Sequence, residues 1–197
     1  MKLPSGFPAP NETLSYVAVA IGTQNYTCSS TGTYTNVGAV AELFDISCLA
    51  KDKPVFDMIA DGAIAFWNAA PPNLTPQQVI SGLSVLKSPV ILGQHYYVTN
   101  PITGIGINPK WDFTSSGATA GKSDAYVVAA KAFGATAPTG SKDIDWVFLT
   151  NIGAGKLADD VYRTDTKLGQ PPASCTPGSA PITVKYAAKY WLFGGHL

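Results

Sequence analysis

Charged side chains are scarce in this chain. Lys, Arg, Asp and Glu make up 13% of its 197 residues, about half the share of an average domain. That shortage argues against long solvent-exposed helices, which need charge on their outer faces. Arg163 is the sole arginine, the lysines are scattered, and the formal net charge is zero. No basic run exists to neutralise phosphates, so no nucleic-acid partner is expected. Long apolar runs are missing too. The longest candidate, 16–21, is strand-sized and far short of the roughly 18 residues of a membrane span.

Motifs of known chemistry are equally sparse. There is no Gly-x-Ser-x-Gly elbow and no His-Glu-x-x-His pair. Gly104-Ile105-Gly106 begins like a dinucleotide loop, but the third glycine is missing and Pro109 forbids a regular helix interior. Residues 151–156 look like a phosphate loop, yet Thr150 and Leu157 replace the required glycine and hydroxyl. Both stretches read as turns. One internal histidine, His95, cannot build a His-rich metal site. No metal and no cofactor are expected.

Cys28, Cys48 and Cys175 show no C-x-x-C spacing, which excludes a zinc ribbon or thioredoxin motif. They are either buried thiols of a reducing compartment, or one bridge plus a free thiol in an oxidising one. Glycosylation sequons begin at Asn11, Asn25 and Asn73, the third weakened by Pro76. They tilt the reading towards secretion and one bridge. Cys28–Cys175 would close most of the chain and Cys28–Cys48 a short loop. Residues 1–12 hold Pro4, Pro8 and Pro10 and no apolar signal core, so they read as an extended leader of a mature extracellular protein whose signal peptide is absent.

What the chain does have is strand patterning. Ile182, Val184, Tyr186, Ala188, Tyr190 and Leu192 alternate with Thr183, Lys185, Ala187, Lys189 and Trp191. This predicts a long strand with one buried face and the lysines on the other. Further strands are expected at 14–21, 38–44, 89–99, 125–133, 144–149 and 161–164, with turns at Asp61-Gly62, Thr139-Gly140 and Pro177-Gly178. Thr75-Pro76-Gln77-Gln78 reads as a helix start. The fold class is therefore all-β, a mainly antiparallel sandwich or barrel, with one or two short helices in the 55–88 region. One domain is expected over 13–197.

Three groups of residues carry candidate chemistry. His95 lies in a strand of large side chains, where it is either a structural histidine or a base or ligand-binding group. Asp143 and Asp145 share a face if extended and are either a solvated strand entry or an acid–base pair. Arg163 is either half of a structural salt bridge or a clamp for a carboxylate or sugar.

Several motifs together resemble a known family. They are Gly22 to Cys28, Gly38 to Asp45, Cys48-Leu49, His95-Tyr96, Asp143 to Leu149, Val161 to Thr166, Gly169 to Pro172 with Cys175, and Val184 to Trp191. In this order they resemble a domain of unknown function found in small secreted fungal proteins, with bacterial relatives, often labelled malate dehydrogenase. Segment 51–86 departs from that pattern. The resemblance implies secretion, a single domain and a Cys28–Cys175 bridge with Cys48 free. It brings no catalytic residues. The dehydrogenase label conflicts with the missing nucleotide fingerprint and the absence of βαβ alternation.

The leading expectation is non-catalytic binding of a carbohydrate, cell-wall component or small ligand through Gln24, Tyr26, His95, Trp111, Asp112 and Arg163. The alternatives are a hydrolase using His95 with Asp112 or with Asp143 and Asp145, and a structural or stress-related surface protein without a ligand.

Overall fold

The computed structural model describes residues 1–197. Eight strands, β1 (Leu14–Cys28), β2 (Tyr34–Asp45), β3 (Ile91–Thr99), β4 (Ile107–Asp112), β5 (Tyr126–Ala135), β6 (Trp146–Ala154), β7 (Asp160–Leu168) and β8 (Ile182–Phe193), pair antiparallel in chain order. β8 pairs back to β1 and closes the barrel. Closure leaves no free sheet edge to pair with another chain. The all-β expectation holds, and of its two forms the barrel is the one adopted.

Strand alternation sorts the side chains. Ala18, Ala20, Ala41, Leu43, Val127, Leu149, Val161, Tyr186, Ala188 and Leu192 fill the interior. Val17, Val19, Trp146, Tyr162, Ala187, Trp191 and Phe193 form a second apolar layer outside the wall. That layer is covered by the leader and by a helix. Phe7 packs edge-on against Phe133 at 5.1 Å, and Phe56 against Trp191 at 5.6 Å. β8 is therefore buried on both faces, not one. Lys189 is only 2% exposed, pairs with Asp165 at 3.4 Å and lies over the Phe56 ring. A period of two reveals that a strand has two faces, but not that a helix covers the lysine-bearing one.

The β2–β3 connection carries α1 (Lys53–Ala69) and α2 (Pro76–Ser84). Asp52 caps α1 with Pro54 in its first turn, and Thr75 with Gln78 forms a capping box on α2. α1 is longer than expected and runs straight through Asp61-Gly62, which is helix and not a turn. The Trp67 indole donates to the Gly22 carbonyl at 2.8 Å. Lys185 donates to the Trp67 carbonyl at 2.6 Å, placing a cation at the helix's negative end. Gly22 is required here, since a Cβ would lie 2.1 Å from the Val40 carbonyl oxygen. Trp67→Phe keeps one aromatic ring but loses the N–H donor to that carbonyl and leaves a small cavity, and is expected to cost about 2 kcal/mol in urea unfolding.

The strand absent from the sequence reading is β4. Its Gly104-x-Gly106 turn and Pro109 look like loop chemistry. Pro109 is tolerated because pairing with β5 begins only at Lys110. Cys28 and Cys175 form the disulfide, with Cα atoms 5.9 Å apart, and Cys48 is free and exposed. The bridge ties the end of β1 to the β7–β8 loop. No helix is long and apolar enough to cross a membrane, a statement about helices alone.

Candidate functional site

The two ends of the barrel differ. At one, Phe113, Leu157 and Leu192 are fully buried and Tyr16 packs edge-on against Phe113 at 5.4 Å. At the other, a cavity of about 510 Å³ opens, within the roughly 300–1,000 Å³ of small-molecule sites. The inward positions of the strands at this end supply its walls. Gln24 and Tyr26 continue the Ala18–Ala20 face of β1, and His95 and Tyr97 share a face of β3. Trp111 comes from β4, Arg163 from β7 and Tyr190 from β8.

The inner wall is aromatic. His95 stacks on Trp111 with ring centres 4.5 Å apart and 17° between planes. Tyr190 stands against both at 5.4 Å. Behind them the Tyr186 and Tyr190 hydroxyls are 3.2 Å apart. Nearer the mouth the Tyr26 hydroxyl donates to the Gly169 carbonyl at 2.7 Å.

Hydrogen bonding fixes which polar atoms remain free. His95 Nδ1 lies 3.0 Å from the Lys110 carbonyl. A carbonyl only accepts, so Nδ1 carries the proton and Nε2 is left with its lone pair. Burial holds the imidazole pKa down to about 3; the bond to Lys110 opposes this and the charge of Arg163 adds to it. The ring is neutral at physiological pH.

A second chain of bonds orients Gln24. The Gly38 N–H donates to Asn36 Oδ1 at 3.0 Å. Asn36 Nδ2 must then be the donor to Gln24 Oε1, also at 3.0 Å. Gln24 Nε2 is left buried with no acceptor. Trp111 Nε1–H, on a residue 1% exposed, is likewise buried and unpartnered. A buried donor without a partner costs about 1–3 kcal/mol, so two of them on residues lining one cavity is a costly arrangement.

Arg163 is half-buried, paired in register with Val147 and Tyr190. Its Nε and one terminal nitrogen donate to the main-chain carbonyl of Asp145 at 3.2 and 2.9 Å. It forms no ion pair. The structural salt bridge considered for it is therefore not formed.

Other candidates fall elsewhere. Asp112 is one residue past Trp111, so alternation turns it to the outer surface of the barrel, across the wall from His95. There it accepts from the Tyr96 hydroxyl at 2.6 Å, from Lys110 at 2.8 Å and from Thr114 at 2.7 Å. Burial raises its pKa, but these bonds outweigh it and bring it to about 2. The His95–Asp112 pair does not exist, and Asp112 does not border the cavity. Asp143 is also committed: its carboxylate accepts from Thr139 and from the Leu168 N–H, closing the β5–β6 loop onto β7. Asp145 borders the cavity, so the two carboxylates serve different places. No group of three or more His, Cys, Asp or Glu stands together to hold a metal ion. Of the sequon asparagines, Asn11 and Asn73 are exposed outside the strands, while Asn25 is half-buried within β1.

Sequence reasoning misses Asn36, Tyr97 and Tyr190. Tyr97 is legible in principle, because it lies two residues from His95 on one strand and so shares its face. Tyr190 reads as core, which it also is. Asn36 has no sequence signal; its role follows from its bond to Gln24.

The chain belongs to a family described as a protein of unknown function (DUF3455), whose profile matches residues 8–194. Comparison with curated proteins and with solved structures returns no match.

Proposed function

We propose that this member of the family is a secreted protein whose single domain, residues 13–197, binds a small organic ligand in the open end of its barrel without transforming it. A carbohydrate or a cell-wall component falls within that class. The observation that carries the reading is the pair of buried, unpartnered donors, Gln24 Nε2 and Trp111 Nε1, in a cavity of ligand size. A ligand with oxygen acceptors supplies what these donors lack, and the half-buried Tyr34 and Tyr97 rings offer it an aromatic face. The disulfide supports an oxidising compartment.

Binding is favoured over hydrolysis by the chemistry of the walls. No Ser, Thr or Cys lines the cavity. His95 is bonded to a carbonyl and not a carboxylate, and its depressed pKa makes it a weak base. A thermal-shift screen of oligosaccharides and small cyclic compounds tests the reading. A hit is expected to raise Tm, and Trp111→Phe, which keeps one aromatic ring but removes the N–H, to weaken it about 5–50-fold. Folded protein giving no hits, or hits indifferent to both Trp111→Phe and Gln24→Met, would contradict it.

A further inference from the structure

We infer that the ligand of the open end is a ring carrying a carboxylate, an inference that rests on the binding reading above. The cavity has a surplus of donors and of positive charge. Gln24 Nε2 and Trp111 Nε1 are unpartnered donors on residues 2% and 1% exposed. Arg163 adds a third source. Its Nε and one terminal nitrogen are tied to the Asp145 carbonyl, which fixes the plane of the guanidinium, and its remaining side-chain contact is with the neutral Tyr190 hydroxyl. A carbonyl is a neutral acceptor, so the bond orients the cation without cancelling its charge.

The other ionisable groups do not cancel it. Lys131 and Asp145 also border the cavity. Two cations less one anion leave a net positive charge. Asp145 meets Arg163 through its main chain, and the two side chains form no ion pair. His95 adds no charge, being neutral with its lone pair on Nε2.

A neutral sugar does not match this donor set well. Its hydroxyls donate as often as they accept, and none offsets the Arg163 charge. A carboxylate is acceptor-only, with about four lone-pair sites, and meets a guanidinium with paired, charge-assisted bonds. The half-buried Tyr97, which stands beside the His95–Trp111 stack on the cavity wall, then offers its ring to the one that bears it. Two sources share this chemistry, an aromatic acid and a sugar acid, and they differ in the planarity of the ring.

Calorimetric titration of the intact chain with matched pairs separates these possibilities. The pairs are benzoate with benzamide, 4-hydroxybenzoate with its amide, and galacturonate with galactose. The carboxylate of at least one pair is expected to bind about 10–100-fold more tightly than its neutral partner and to weaken as salt rises. Preference among the aromatic pairs identifies an aromatic acid, and preference in the sugar pair a sugar acid. Arg163→Gln is expected to erase the preference and Arg163→Lys to keep part of it. If Arg163→Gln does not fold, the matched pairs and salt dependence of the natural chain decide alone. Equal binding of charged and neutral partners overturns the carboxylate and leaves the binding reading standing. Binding by no pair overturns the carboxylate as well, and the broader screen then judges the cavity.

Discussion

Replacing Glu42 with Gln is expected to stabilise the protein by up to about 3 kcal/mol near pH 8 and to change little below about pH 4. Glu42 projects from β2 on the outer surface of the barrel and is 2% exposed. Its Oε1 accepts from Gln94 at 3.2 Å. Its Oε2 has no partner, and no cation pairs with it. Burial raises its pKa from 4.5 to about 7, the Gln94 bond opposing the rise. The folded state thus holds a proton that the unfolded chain releases near pH 4.5. Between those two values the unfolded state binds fewer protons, so stability falls as pH rises. Above a pH of about 7 the full cost of a buried, half-satisfied carboxylate is present. Urea unfolding across this range should show the Glu42→Gln variant losing the downward slope seen with glutamate. An identical slope in both proteins would show that the carboxylate is solvated.

Removing the disulfide has an effect of similar size. Cys28→Ser with Cys175→Ser opens a link between residues 147 apart in sequence, and the expected loss is about 2–5 kcal/mol. The effect reaches the cavity as well. Cys175 N–H donates to the Gly32 carbonyl at 2.9 Å, so the bridge pins the β7–β8 loop, with Gln170 and Pro171 on the rim, to the β1–β2 turn. Cys48→Ser, on an exposed thiol in the 3-10 turn Ser47–Lys51, should leave the urea midpoint unchanged. A double variant as stable as the parent would mean that the rim is held by other contacts. Non-reducing digestion and mass spectrometry check the pairing itself.

The legible parts of this fold are those governed by alternation. β8 declares itself through eleven residues of period two, and β1 through a shorter run that the structure extends to Cys28. β4 stays hidden because two glycines form the turn that leads into it and Pro109, ordinarily a breaker, sits where β5 does not pair. The contents of the cavity are partly legible for the same reason. Gln24, Tyr26, His95, Trp111 and Arg163 stand out in the sequence, and all five line it. Asp112 joins them by proximity in sequence, but a one-residue step along a strand crosses the wall. Arg163 shows the other limit. Nothing in its neighbours Tyr162 and Asp165 reveals that its partner is a main-chain carbonyl eighteen positions upstream.

In the proposed binding reading, the open end of the barrel is a ligand site whose unpaired donors are completed on binding. The chain has four tryptophans, so a nitrogen-resolved NMR spectrum has four indole signals that report four places at once. On titration with the tightest ligand from the screen, the Trp111 indole and the Gln24 side-chain amide should shift strongly. The indoles of Trp67, Trp146 and Trp191, all outside the wall, should hardly move. Saturable binding that leaves Trp111 and Gln24 in place, or that shifts the outer indoles instead, would contradict the account.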